Sequence, residues 1–299
     1  MRLAAMLTFQ GKACALLTVV WAQARNRLAA NKKTALWENE MAGRVAGKVA
    51  LVTGGAMGLG KADCEALARE GAKVIVTDRE VELAHQVAET IGGDAMALDV
   101  TREDQWQEVM RSVQERHGGL DILVNNAGNV IFESIEECSL DHFRLHLDIH
   151  VVGTFLGCKY AVPLMKHRHQ AIGGGGSSII NMASTAALLG YGNIPAYAAA
   201  KAAITGITRS LAMDFQDKGY GIRVNALAPG GIETPMVMGV SGRAGTAPLE
   251  IPEGPLAADA LGHPKDVAAC VLFLASDEAR FLNGLTIPVD NGLNARPHH

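Results

Sequence analysis

Membrane-length apolar runs, paired cysteines and an excess of basic charge are all missing from this 299-residue chain. No segment carries ~20 uninterrupted apolar residues, so a membrane-spanning helix is not supported. The five cysteines, Cys14, Cys64, Cys138, Cys158 and Cys270, form no CxxC pair, and their number is odd. That usage points to buried free thiols in a reducing, cytoplasmic compartment. Lys and Arg total 27 against 31 Asp and Glu, a net charge of −4. The footprint needed for binding a phosphate backbone is therefore lacking, and nucleic acid is not an expected partner. Repeats of the solenoid type are absent too.

What is present suits a globular enzyme. Apolar residues make up 48% and charged residues 19%, enough for a buried core and without the signature of disorder. The length fits one α/β domain of ~250 residues plus a short extension. In the first forty residues the bases Arg2, Lys12, Arg25, Arg27, Lys32 and Lys33 precede the first acid, Glu38. An apolar run from Ala13 leads into Ala22-Gln23-Ala24. This pattern fits an export signal or an organelle presequence. Met41-Ala42-Gly43-Arg44-Val45 also reads as a natural start, so we read residues 1–40 as a dispensable extension and 41–299 as the domain.

From Lys48 onward, short β-branched or apolar runs alternate with longer amphipathic segments, as in a parallel sheet covered on both faces. The expected strands are Val49 to Thr53, Lys73 to Thr77, Asp94 to Ala97, Ile122 to Asn125, Ser178 to Asn181, Ile222 to Ala226 and Thr286 to Val289. A helix over Ala62 to Glu70 should stop at Gly71. Gly173 to Gly176 precedes a strand and is expected to be a surface turn. The Gly- and Pro-broken stretch from Val237 to Ala258 reads as a mobile loop over the active site.

The first strand runs directly into Thr53-Gly54-Gly55-Ala56-Met57-Gly58-Leu59-Gly60. Bare backbone at Gly54, Gly58 and Gly60 lets the turn approach a pyrophosphate lying against a helix N-terminus. Asp78 follows Gly54 by twenty-four residues, at the end of the second strand, where its carboxylate can accept from ribose hydroxyls. That charge also repels an added 2′-phosphate, and Met57 offers no cation to bind one, although Arg79 stands next door. The expected cofactor is NAD(H) in preference to NADP(H).

These residues resemble the short-chain dehydrogenase/reductase family, in its ordinary non-extended branch. TGGAMGLG from Thr53 is similar to that family's TGxxxGxG, and Asn125-Asn126-Ala127-Gly128 to its NNAG. Ser184 stands thirteen residues before YAAAK, Tyr197 to Lys201, as in its catalytic signature. The resemblance runs from Val45 to Ala295. It implies one Rossmann-type doubly wound domain, a parallel seven-stranded sheet flanked by helices, and hydride transfer between a nicotinamide and a secondary alcohol or ketone. It also implies cofactor contacts from Met57 and Leu59 in the turn, the adenine-side pair Asp99-Val100, Asn126, Ala127 and Gly128, Tyr197 and Lys201, Pro229-Gly230, Ile232 and Thr234. Arg223-Val224-Asn225 resembles part of the segment below the nicotinamide. Assembly as a homo-oligomer, tetramer or dimer, is a further implication.

The chemistry is intelligible from the residues. Reducing a carbonyl leaves negative charge on oxygen, which needs a proton donor and a polarising hydrogen bond. Tyr197 and Lys201 lie four apart, hence on one helical face. A nearby ammonium favours phenolate, so Lys201 is expected to lower the Tyr197 pKa. Holding the nicotinamide ribose is a role the resemblance adds to it. Ser184 can orient the substrate oxygen, and no metal is required.

One departure stands out. Where the family usually carries a water-holding asparagine, this chain has His150, ahead of Gly153-Thr154-Phe155. The imidazole is expected to hold that water, to titrate in its own right near neutral pH, or only to fill space while backbone groups hold the water. His142, His146 and His150 share one helical face, but no carboxylate or cysteine is clearly placed to complete a zinc sphere, so no metal is expected. The runs Thr185-Ala186-Ala187-Leu188-Leu189-Gly190-Tyr191, Ile194-Pro195 and Met236-Val237-Met238 suggest an apolar pocket for a cyclic, aryl or steroid-like substrate. A 3-oxoacyl thioester reductase, a non-catalytic nucleotide sensor and a structural subunit are the alternatives.

Overall fold

Val49, Ala50, Leu51, Val52 and Thr53 are all buried, as befits a strand covered on both faces. A computed structural model describes residues 43–172, 176–240, 257 and 260–296. The forty-residue extension, Gly173 to Gly175 and most of the 237–258 loop lie outside the described residues. Arg44–His299 form one compact unit.

Seven parallel strands run in the order β3-β2-β1-β4-β5-β6-β7. They are β1 Val49–Thr53, β2 Lys73–Asp78, β3 Asp94–Ala97, β4 Ile122–Asn125, β5 Ser177–Met182, β6 Ile222–Pro229 and β7 Thr286–Val289. Three exceed their sequence-based bounds by one to three residues: β2 takes in Asp78, β5 gains Ser177 and Met182, and β6 extends to Pro229.

The helices are α1 Gly58–Arg69, α2 Val81–Ile91, α3 Glu103–His117, α4 Leu140–His146, α5 Gly153–Ile172, α6 Pro195–Asp217, α7 Pro235–Val240 and α8 Pro264–Ala275. Gly71 does follow α1 in the left-handed region, at φ 85°. Gly118, at φ 73°, ends α3, whose Glu103 and Asp104 start it and whose Arg116 and His117 close it, both favourable to the helix dipole.

Alternation along β1 feeds two cores. Ala50 and Val52 join Leu67 of α1 and Val271 of α8. Val49 and Leu51 join Trp106 of α3 and Met165 of α5 on the other face. Between α4 and α5 the chain forms a π-helical turn, Leu147–Val152, which contains His150. Such bulges collect at functional sites.

Of the four cysteines among the described residues, Cys64 and Cys158 are buried but Cys138 and Cys270 are partly exposed, so the expectation of buried thiols holds for two of these four; Cys14 lies outside the described residues. Among the described residues no helix is long and apolar enough to cross a membrane.

Candidate active site

The strand order reverses between β1 and β4, and the crevice outside the carboxyl ends of the strands at such a point is the usual ligand position in these sheets. Thr53 holds the two strands together at this point. Its Oγ1 accepts from the backbone N–H of Asn126 and of Ala127, each at 3.0 Å. The Asn126 side-chain amide donates to the Thr53 and Gly54 carbonyls at 3.0 and 3.1 Å. Asn126 therefore braces the glycine turn. One layer beneath, Asn125 donates to Asn181 at 2.8 Å and Asn181 to Thr208 at 3.0 Å, a buried polar line joining β4, β5 and α6 that the sequence did not reveal.

The turn needs its glycines. Gly54 and Gly58 have φ of 64° and 55°, and a Cβ at Gly60 would collide with the Gly54 carbonyl. Met57 precedes α1 in an extended conformation without a side-chain cap, so the first amides of α1 remain available for an anion. Asp78 accepts from the Ala56 N–H at 3.1 Å through Oδ2 and from the Glu80 N–H at 3.1 Å through Oδ1, which fixes its carboxylate beside the turn.

A cleft of ≈ 370 Å³ follows the strand ends. Gly54, Met57, Gly58, Leu59, Asp78, Asp99, Val100, Asn126, Ala127, Gly128, His150, Ser184, Tyr197, Lys201, Pro229, Gly230, Ile232 and Thr234 all line it. Gly60 lies below the lining and packs on Gly54. From β2 to β6 the cleft crosses four strand spacings, ~19 Å at ~4.8 Å each, long enough for an extended dinucleotide. The acid at one end, the open helix terminus and Thr234 with Ser184, Tyr197 and Lys201 at the other suit such a ligand.

Ser184 caps a short 3-10 turn, its Oγ accepting from the Ala186 N–H at 3.1 Å. Tyr197 and Lys201 project from one face of α6, with Lys201 Nζ 5.5 Å from the centre of the Tyr197 ring. Burial raises the Tyr197 phenol above its ordinary value, and the Ser184 hydroxyl opposes that shift. The phenol is thus raised, contrary to the lowering expected from Lys201. Burial also brings Lys201 itself down to about 7. Its Nζ donates to the Met182 carbonyl at 2.7 Å, a partner that no sequence signal announced.

His150 is buried, its ring centre 5.3 Å from that of Tyr197 and edge-on to it. Its pKa falls well below 6.5, first through burial and then through the Lys201 charge. This corrects the expectation of titration near neutrality: the imidazole stays neutral there. Its Nε2 faces the Asn129 carbonyl at 2.9 Å and so carries the proton, leaving Nδ1 as a buried acceptor with no partner among the described residues.

Two other expectations change. Arg223 lies at the start of β6 and binds the Leu274 and Ser276 carbonyls at 2.8 and 3.0 Å; only Pro229-Gly230 of that segment reaches the cleft. No residue from Thr185 to Pro195 lines this cleft; Ala186 and Ile194 are buried, Leu188 is exposed, and Thr185 pairs with the Tyr191 hydroxyl at 3.3 Å. Ile149, Met182, Ala183, Met236 and Val237 are among the cleft's apolar lining residues. The side chain of Met238 lies outside the described residues. Asn129 and Met182 line the cleft although neither was anticipated.

Residues 54–294 match a family model described as enoyl-(acyl carrier protein) reductase. The chain is 38% identical over 263 residues to trans-4-hydroxycyclohexanecarboxylate dehydrogenase of Sinomonas cyclohexanicum, covering 84% of this chain and 95% of that one. It is 35% identical to an NADP-dependent (R)-specific alcohol dehydrogenase of Lentilactobacillus kefiri, over 86% of this chain and all of the other. A crystal structure of ribose-5-phosphate isomerase from Brucella melitensis 16M superposes with a TM-score of 0.72 at 32% identity, covering 84% of this chain and 93% of that one. The relatives' names differ in substrate and reaction, but the family model spans residues 54–294 and these curated relatives are 35–38% identical over 84–86% of the chain, so the chain belongs to the short-chain dehydrogenase/reductase family.

Proposed function

We propose that this protein is an oxidoreductase acting on CH–OH groups, interconverting a secondary alcohol and a ketone with NAD(H) in preference to NADP(H). The observation that carries the proposal is the convergence of Ser184, Tyr197 and Lys201 on the cleft that also contains the glycine turn. When bound, the nicotinamide supplies or accepts the hydride. Gly54, Gly58 and the start of α1 would receive the pyrophosphate, and Asp78 the adenine ribose.

Tyr197 is the acid/base. Its raised pKa keeps the phenol protonated at neutral pH, the form that donates to a carbonyl oxygen during reduction. Ser184 lies beside it to orient that oxygen. In oxidation the phenol must give up its proton, and a protonated Lys201, only 5.5 Å from the ring centre, favours the phenolate. His150 serves as a neutral acceptor through Nδ1, because burial and Lys201 both oppose an imidazolium there.

The preference for NAD(H) rests on Asp78, whose charge opposes a 2′-phosphate. Arg79 also lines the cleft, and the L. kefiri relative is NADP-dependent, so the dinucleotides must be compared directly. The apolar lining and the hydroxycyclohexane substrate named for the S. cyclohexanicum relative favour an uncharged cyclic alcohol or ketone.

An NADH-oxidation screen over cyclic, aryl and steroid ketones tests the reading, with Tyr197→Phe as control. Turnover that survives in Tyr197→Phe would remove the proposed acid, and NADH binding without turnover of any ketone would favour a nucleotide sensor.

A further inference from the structure

Three histidines sit at four-residue steps along one helical face, and each meets a different residue of the irregular segment that follows β4. His150 Nε2 lies 2.9 Å from the Asn129 carbonyl. The Ile131 N–H donates to His146 Nε2 at 3.3 Å. His142 Nδ1 lies 2.8 Å from Glu133 Oε1. The partners are alternate residues, 129, 131 and 133, taken in the opposite chain direction to the histidines.

The spacing has a simple origin. Four residues of helix rise about 6 Å, and two residues of extended chain advance about 6.6 Å. A chain laid antiparallel along the helix therefore meets a new histidine at every second residue. The proton positions are determined as well. His150 must carry its proton on Nε2 to face a carbonyl, whereas His146 must leave Nε2 bare to accept from an N–H. The His146 proton then sits on Nδ1, 2.8 Å from the His142 carbonyl. Both nitrogens of His146 are thus engaged with backbone, so it is no link in a proton chain.

We propose that His142, His146 and His150 form a hydrogen-bonded ladder that positions the 129–133 segment as a wall of the substrate site, with His146 as a positioning residue. The segment lacks regular structure, and its backbone groups need outside partners. On its far side the Glu133 N–H donates to the Asn193 carbonyl at 2.8 Å, just before α6 and Tyr197. The ladder thus links the π-helical turn to the approach to the acid/base. At the rung nearest the reacting groups, Asn129 lines the cleft and keeps a buried Oδ1 acceptor with no partner among the described residues. Asn129 and Tyr197 therefore sit in a fixed relation for a substrate that spans them.

This wall role rests on the proposed alcohol–ketone reaction, whereas the ladder does not, so the test reads both. Amide hydrogen exchange on the full chain without ligand compares wild type with His146→Leu, which keeps the apolar bulk, and His146→Gln, whose Oε1 can accept where Nε2 does. The Ile131 amide should exchange at least tenfold faster in His146→Leu and return to within threefold of wild type in His146→Gln, with β4 amides unchanged. Cyclohexanol oxidation with NAD+ should show KM raised about tenfold in His146→Leu, kcat within threefold, NADH affinity unchanged and recovery in His146→Gln. His142→Ala, at the half-exposed rung, should speed exchange around Glu133 and raise KM about threefold even if His146→Leu fails to fold. Unchanged Ile131 exchange in His146→Leu, or a His146→Gln variant no better than His146→Leu, overturns the ladder. Altered exchange with unaltered KM overturns the wall role, and a wild type that oxidises no alcohol counts against the reaction while leaving the exchange result decisive for the ladder.

Discussion

Lys201 donates to the Met182 carbonyl at 2.7 Å beneath the end of β5, and from there its ammonium faces the Tyr197 ring at 5.5 Å. This one contact ties the charge state of the site to the stability of the fold, because a fully buried ammonium carries a desolvation cost that a single carbonyl offsets only in part.

Replacing Lys201 should therefore separate activity from stability. The folded pKa is about 7 against 10.5 for the unfolded chain. The unfolded state thus binds more protons between these values, and this group's contribution to stability rises with pH across that window. Its cost is fully present below pH ~7 and gone above pH ~10.5. Lys201→Met should abolish turnover yet stabilise the protein by a few kcal/mol (order of magnitude) at pH 6 to 7. Denaturant titrations should show that advantage shrinking as pH rises to 10.5.

His150→Asn tests whether the imidazole titrates during turnover. Burial and the Lys201 charge hold its pKa well below 6.5, so His150 should stay neutral at pH 7 and above. The kcat/KM profile over that range should keep its shape in the variant, with at most a modest fall in magnitude. A limb near neutrality that vanishes on substitution would show that the imidazole takes up the proton.

Asp78 has two separable roles. Asp78→Ala should lower the kcat/KM ratio of NADH over NADPH at least tenfold, since the charge opposing a 2′-phosphate is gone. The Ala56 N–H and Glu80 N–H would lose their acceptor, at a cost of ~1–3 kcal/mol measurable by denaturation. An unchanged cofactor ratio would move the source of discrimination elsewhere.

Gly128 is needed for space. A Cβ there would stand 2.6 Å from His150 Cε1 and 3.1 Å from its Nδ1, and the ring cannot retreat without breaking its bond to Asn129. Gly128→Ala should destabilise the fold by ~1–3 kcal/mol, the usual scale of overpacking. A melting temperature equal to that of wild type would show that the ring has room to move.

Most of the fold was legible because its signals are local. Each buried strand is a β-branched run bounded by polar or glycine residues, and strand-to-helix turns need glycine at positive φ, as at Gly54 and Gly58. The strand ends were less legible: Met182 and Ala228-Pro229 extend β5 and β6 only because neighbouring strands supply hydrogen bonds there. The same contrast holds at the site. Tyr197 and Lys201 share a face by helical period alone, whereas Ser184 joins them only through the resemblance to the family's signature. Arg223 was misplaced because a motif does not say which end of a strand a residue occupies, and that end decides between binding the α8 carbonyls and reaching the cleft.

By itself the sequence showed the alternating α/β pattern and the glycine turn with its distant Asp78, carried by period, spacing and residue type along the chain, and its resemblance to the family pointed to the proposed trio of Ser184, Tyr197 and Lys201. The tertiary structure decided the charge states and the partners. Burial moves Tyr197 up and Lys201 and His150 down, and only folding brings Met182 to Lys201 or the 129–133 segment to its three histidines. Desolvation and nonlocal hydrogen bonds arise between segments far apart in the chain, so no local pattern can report them.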